Sequence, residues 1–306
     1  TKLGAYWTMN DDVSFRASFA TAQRHANISE LYSAVSDGLV DLDNDPCSIQ
    51  QNGSAATATQ AQCANTGLAA QFYNTDLNSP ADQYNTKGGG NPLVAPEESE
   101  SITVGAVITP ASVPGLTLTI DYFDITVEDQ IASVSAKTAL DNCISTGSAV
   151  YCGLINRRAD NGSLWLQGGY ISSQLSNLAE ETTSGLDIIF DYSFDTAYGP
   201  VSIEGVTTML DTFDITELPG SAAITCAGNW GGSCGKNPLP EVSGKYRATL
   251  VTEYDTDLSI GLRYLGETED QNSNKIDFDA TTYIDVTAKY AATENLMVTF
   301  GINNLF

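Results

Sequence analysis

Asp41, Asp43 and Asp45 occupy alternate positions in Asp41-Leu42-Asp43-Asn44-Asp45. That spacing offers carboxylate oxygens to a hard cation such as Ca²⁺. The glycine and distant glutamate of a complete calcium loop are missing, so the expectation is either a structural Ca²⁺ in a loop or a solvated acidic turn. The adjacent pair Arg157-Arg158 can grip an anion, a lipopolysaccharide phosphate included, through paired N–H donors, or can meet the chain's own carboxylates. Tyr84, Tyr151, Trp165 and Trp230 are candidates for stacking on a sugar ring or an aromatic chelate. The other reading makes them small loop cores beside disulfides. These residues form the candidate ligand and metal sets.

Covalent chemistry is poorly supported. The single histidine, His25, removes most Ser-His and Cys-His schemes and makes a Cys/His metal site unattractive. No GxSxG, P-loop or HExxH sequence occurs. A carboxylate pair remains available among many Asp and Glu, but nothing places two at a working separation. The expectation is a protein that is not an enzyme and has no resident cofactor beyond the loop calcium.

The six cysteines fall into near neighbours, Cys47 with Cys63, Cys143 with Cys152, and Cys226 with Cys234. Six cysteines allow 15 connectivities; the local one is favoured because each pair lies inside one loop-like segment. Three disulfides imply an oxidising compartment.

Those candidate residues lie between segments of a different character. From Asn91 to Ile131 two alternating runs flank a tight joint. Ile102, Val104, Ala106 and Ile108 oppose Thr103, Gly105 and Thr109, and Leu116, Leu118, Ile120 and Tyr122 oppose Thr117, Thr119 and Asp121. A period of two over this length predicts strands, because successive side chains leave a pleated backbone on opposite faces. Pro110 and Pro114 fix φ in the joint and Gly115 supplies conformational freedom, which makes a long hairpin. The same alternation recurs near residues 3–9, 13–19, 170–194, 245–254, 258–264, 284–290 and 296–302, and a further strand begins at 201–204. Two short helices are expected at 135–144 and 149–158, around Cys143 and Cys152.

The connections alternate in length. Short turns join the strands at one end; the long segments, about 23–96, 132–163, 217–240 and 267–280, gather at the other. The first is long enough to be functional or partly disordered. Arg16, Asp121, Asp187, Asp191, Glu204, Lys245, Arg247, Arg263, Asp285 and Lys289 interrupt the face opposite the apolar one. Tyr192, Phe194, Tyr254 and Tyr290 lie near the short turns, where a membrane barrel carries an aromatic girdle. No run approaches the roughly 20 apolar residues of a membrane-spanning helix, but β-barrel strands need only about 10 residues with every second one apolar. A net charge of −25 argues against a nucleic-acid partner, which needs clustered cations.

Five stretches together resemble the C-terminal part of the barrel of TonB-dependent outer-membrane receptors. Phe15-Arg16-Ala17-Ser18, leading to Arg24-His25-Ala26-Asn27-Ile28-Ser29-Glu30-Leu31, is similar to the family's FRAS and RAPNIxEL segments. Asn91-Pro92-Leu93 with Pro96-Glu97-Glu98-Ser99 and Gly105 resembles NPxLxPExS followed by Gly. Val113-Pro114-Gly115-Leu116 to Asp121-Tyr122-Phe123 resembles VPGLxLxxDYF. Asn177-Leu178-Ala179 with Thr183-Ser184-Gly185 resembles NLA and TSG, and Gly301-Ile302-Asn303-Asn304-Leu305-Phe306 resembles GxxNLF. His25-Ala26 departs from the family's Ala-Pro, which puts the entry turn of that loop in doubt.

The resemblance implies an all-β fold. Residues 1–306 would form one partial domain, an antiparallel transmembrane β-barrel portion of about ten strands in a 22-stranded barrel, with long extracellular loops. It implies TonB-dependent active uptake of an oligosaccharide or metal-siderophore across a Gram-negative outer membrane. The implied partners are outer-membrane lipid, lipopolysaccharide, a small-molecule ligand, and the TonB complex acting through a plug domain. Neither the plug, the TonB box nor the family's last strand appears in the sequence, and the start at Thr1 fits a mature or fragmentary chain. Two readings from other classes stay open: a secreted soluble β-domain that binds glycans or proteins, and a passive porin.

Overall fold

A computed structural model describes residues 1–218, 221–271 and 276–306. Parts of the expected loops at 217–240 and 267–280 therefore lie outside the described residues. In chain order the elements begin with β1 (Lys2–Thr8), β2 (Val13–Arg24), α1 (Ile28–Tyr32), β3 (Ser36–Asp41), α2 (Gln60–Asn65), β4 (Gln83–Gly89), β5 (Glu97–Ile108) and β6 (Leu116–Ala132). There follow α3 (Ala136–Thr146), α4 (Ala149–Cys152), β7 (Ile155–Asn156), β8 (Tyr170–Gln174), β9 (Ser176–Thr196) and β10 (Gly199–Thr216). The chain continues through β11 (Ile224–Thr225), β12 (Asn229–Trp230), β13 (Val242–Val251), β14 (Thr256–Leu265), β15 (Glu269–Asp270), β16 (Thr281–Thr293) and β17 (Leu296–Ile302).

Ten of these strands follow one path, β1-β2-β5-β6-β9-β10-β13-β14-β16-β17, every neighbour antiparallel; β11 adds a short edge to β10. The register carries the alternation of each strand across the whole sheet. Phe15 meets Ala106, which meets Ile120, which meets Ile188, all on one face. Arg16, Gly105, Asp121 and Asp187 follow on the other. A slip of one residue in any strand would carry its apolar set to the charged face, so the pattern itself fixes the pairing.

No second layer covers the apolar face among the described residues. Phe300, Ile260 and Val104 are at least half exposed, and Leu118 and Leu250 are only partly covered. Two sheets clasped around a common core would have buried them. Tyr254 and Tyr290, near the short turns, are also exposed, and Tyr192 stacks on Phe194 at 5.0 Å.

The buried core lies instead within the long connections. Leu42, Leu68, Leu77 and Tyr84 from residues 25–96 pack in one cluster with Val134, Leu140, Ile144, Ile155, Leu164 and Ile171 from 133–175, and with Leu218. A second sheet, β3-β4-β8-β7, joins the same two connections: β4 pairs in parallel with β8, Thr86 opposite Ile171. The first segment, read from the sequence as irregular and either functional or partly disordered, carries β3, α2 and β4 and a share of this core. That segment and the next bury apolar side chains against one another, which neither could do alone.

The local elements follow from their sequences. Thr59 and Gln62 form a capping box on α2, and Asn27 and Glu30 form one on α1. Ser135 caps α3, and Gly147 ends it in the left-handed conformation. The expected helix over 149–158 stops at Cys152, because Ile155–Asn156 pairs with β8. All three disulfides are local: Cys47–Cys63, Cys143–Cys152 and Cys226–Cys234.

Candidate outer-mouth site

The motif residues quoted above converge where the long connections leave the sheet. Arg24 closes β2 and donates from Nε to Glu97 at 2.6 Å and from Nη1 to Glu30 at 3.0 Å. Glu97 Oε1 also accepts from the Ile131 amide at 2.9 Å, just beyond the irregularity that places Asp129 in the left-handed region. The Arg24 guanidinium holds the Glu30 carboxyl below its ordinary range, with the Asn27 amide as second cause. Asn91 donates from Nδ2 to the Leu175 carbonyl, and its amide donates to the Glu30 carbonyl. Asn177 accepts from the Ala95 amide at 2.7 Å and donates from Nδ2 to the carbonyls of Ala95 and Asp129. Arg24, Asn27, Glu30, Asn91, Glu97 and Asn177 thus form a polar collar that ties the bases of the first two connections to β6.

Above the collar sits the body made by those two connections. At its centre Arg157 donates to both carboxylate oxygens of Asp45, at 2.6 and 3.0 Å, and its Nε donates to Thr66 Oγ1 at 2.7 Å. Both side chains of the ion pair are shut off from solvent, at 1% and 0% exposure. Arg157 is therefore an internal strut and presents nothing to an anion. Asp45 is equally committed; Asp41 and Asp43 are exposed, and no group of three or more His, Cys, Asp or Glu able to hold a metal ion forms among the described residues.

The other candidates separate in the same way. Tyr84 is fully buried, its Oη donating to Asn78 Oδ1 and accepting from the Ser79 amide, and burial pushes its phenol up to about 12. Tyr151 is buried in the same cluster, and Trp165 packs against it. Tyr84 and Tyr151 are core residues beside the disulfides, and Trp165 is a partly buried side chain at the edge of that core. Arg158 is partly exposed and pairs with Asp160, whose carboxyl it holds low. Trp230 lies apart, on the third connection, tilted against Phe278 at 5.0 Å and donating from Nε1 to the Ile276 carbonyl. Its strand β12 pairs with β15, so the third and fourth connections also meet.

Sequence reasoning offered the alternative of a loop-core role but missed which carboxylate Arg157 would find. The two are 112 residues apart, and no spacing rule reaches that far.

Below the mouth, the charged face of the sheet carries its own pairs. Arg16 reaches Asp121 across Gly105, which lies between them in register; a Cβ on Gly105 would stand 1.9 Å from Asp121 Oδ1. Arg263 pairs with Asp285 at 3.2 Å and donates to Asn304 Oδ1, while the Asn304 amide donates back to Asp285. Asp191, Glu204, Lys245, Arg247, Arg263 and Asp285 line a hollow of about 460 Å³ on this face. On the apolar face Phe190 and Tyr246 stack across Gly205, where a side chain would collide with both rings. A second hollow of about 520 Å³, at the third and fourth connections, is lined by Glu241, Glu267 and Glu269.

A family model described as TonB dependent receptor-like, beta-barrel matches residues 1–305. No curated protein matches the sequence at a significant level. Among solved structures, a variant of the ferric enterobactin receptor from Pseudomonas aeruginosa superposes with a TM-score of 0.60 at 13% identity, over 100% of this chain and 34% of that one. The siderophore receptor PirA from Acinetobacter baumannii gives 0.57 at 11%, over 100% and 36%. The copper transporter OprC gives 0.52 at 12%, over 100% and 33%. At these identities the likeness is one of fold, and the chain spans about a third of each structure's length.

Proposed function

Given that this chain belongs to the TonB-dependent receptor-like β-barrel family, we propose that it forms barrel wall and outer loops of a receptor that actively takes up a small nutrient across a Gram-negative outer membrane. The observation that carries this reading is the two-faced sheet. Its apolar face is uncovered, its opposite face is charged, and every long connection leaves from one end. Acyl chains would cover the first face, with lipopolysaccharide around the outer rim. β9 has 21 residues, about 70 Å of strand against a hydrocarbon layer of about 30 Å. It would project well past the membrane and carry the loop body outward. Energy would arrive from TonB through a plug.

For the ligand, the loop charges favour a neutral oligosaccharide or a cationic complex. Arg24, Lys137, Arg157 and Arg158 are each paired with the chain's own carboxylates, and Lys87 sits over the Tyr170 ring. Glu241, Glu267 and Glu269 line an acidic hollow. A multiply anionic chelate would find few free cations here and would be repelled. The names of the structural neighbours favour a second reading, a metal-siderophore. Uptake assays on the full-length receptor in energised cells test both, using a labelled neutral oligosaccharide and a ferric catecholate in strains with and without TonB. Oligosaccharide uptake that needs TonB supports the first reading, and ferric uptake alone the second. Uptake indifferent to TonB would make the protein a passive porin. Extraction without detergent would make it a soluble domain.

A further inference from the structure

We propose that the first and second connections, residues 25–96 and 133–175, move over the mouth as a single body, with Asp45–Arg157 as the coupling between them. The inference rests on the reading of these segments as the outer mouth of a receptor. Five observations carry it.

The body has one core and one sheet, to which both segments contribute. Its only ion pair without solvent access among the described residues joins one segment to the other. Asn85 adds a second joint: its Nδ2 donates to the carbonyls of Trp165, Leu166 and Gly169. The disulfides, by contrast, brace each segment internally, Cys47–Cys63 in the first and Cys143–Cys152 in the second, and none crosses between them. Finally, the bases are tied together by Asn91 to Leu175 and by Asn177 to Ala95.

To move alone, the first segment would have to tear β4 from β8 and strip Arg157 of its partner while the arginine stayed buried. A swing about the collar leaves the shared core, the β4–β8 pairing and the buried ion pair intact, and disturbs only the smaller set of exposed and partly buried hydrogen bonds at the two bases. The easier motion carries both segments together, so a contact made by either would be felt by the other.

Hydrogen exchange on the full-length receptor in detergent, with no ligand present, tests this. In the unaltered protein the slowest amides of β4 and of α3 should open at rates within about threefold of each other, since a cooperative unit opens as one. In Asp45→Asn both should accelerate by a similar factor, about tenfold or more, while residues 102–108 of β5 stay unchanged. Acceleration confined to the first segment would overturn the proposal, as would opening rates in the unaltered protein that differ by more than about tenfold. If the variant fails to assemble, the unaltered protein still decides. The readout involves no transport, so a failure to find TonB-dependent uptake would leave it standing or falling on its own.

Discussion

Arg157 and Asp45 face each other in a two-point ion pair that no water reaches, at 2.6 and 3.0 Å. Removing one partner of such a pair strands a buried charge, at a cost of about 3–5 kcal/mol, whereas replacing both by apolar residues can be nearly neutral. Arg157→Met should therefore open the outer body to externally added protease while the barrel keeps its resistance to heat and detergent. The double variant D45L/R157L should recover much of the protection. Equal sensitivity of the single and double variants would show that the pair contributes packing only.

The disulfides should rank by the chain they enclose. Cys47–Cys63 spans 16 residues, Cys143–Cys152 spans 9 and Cys226–Cys234 spans 8. A loop of about 15 residues corresponds to about 3 kcal/mol in the chain-entropy account, and shorter loops to less. Paired Cys→Ala substitutions should lower the protease resistance of the outer body most for the first pair. The third pair should leave that body intact, since its cysteines lie outside the shared core.

Gly105 is needed because Arg16 and Asp121 meet across it. Gly105→Ala would place a Cβ 1.9 Å from the Asp121 carboxylate, forcing the pair apart or the strands to shift. Overpacking of this kind costs about 1–3 kcal/mol. The variant should unfold at a lower temperature in detergent than the unaltered receptor. An Asp121→Ala background should reduce the penalty, because the clashing side chain is gone.

The orientation of the sheet predicts opposite responses at adjacent positions. Val104→Arg places a charge on the apolar face in mid-strand, where a membrane barrel loses about 2–4 kcal/mol. Thr103→Arg, on the charged face, should be tolerated. Receptor recovered in outer-membrane fractions reads the difference. Equal recovery of the two variants would count against lipid on the Val104 side.

Tyr84 sets a pH limit on the outer body. Its phenol is raised from 10.0 to about 12, so the folded body favours the neutral form. That contribution is fully present below pH 10.0 and is lost as pH rises through the folded value near 12. Protease resistance of the outer body should fall across that window. In Tyr84→Phe, which cannot ionise, the alkaline loss attributable to this group should disappear.

The strands were legible because a half-exposed strand writes its two faces directly into alternate residues. Val104 against Thr103, or Leu118 against Thr119, needs no partner to be read. The turns and disulfides were legible for the same reason, since each is closed by residues close in the chain. The collar was half legible. Its residues appeared as motifs, but the bonds of Asn177 to Ala95 and Asp129 exist only once β6 and β9 have paired and brought three separate segments together. The outer body was legible only as an alternative, a loop core beside the disulfides, with nothing to say which segments share it. Tyr84, Tyr151 and Arg157 have the composition of a binding surface, and whether such groups face solvent or one another depends on what packs over them. Here two segments cover each other's apolar side chains, and the charge of Asp45 reaches Arg157 through space rather than along the chain. Local periodicity determined the wall; only the meeting of distant loops decided which of the candidate residues hold that body together.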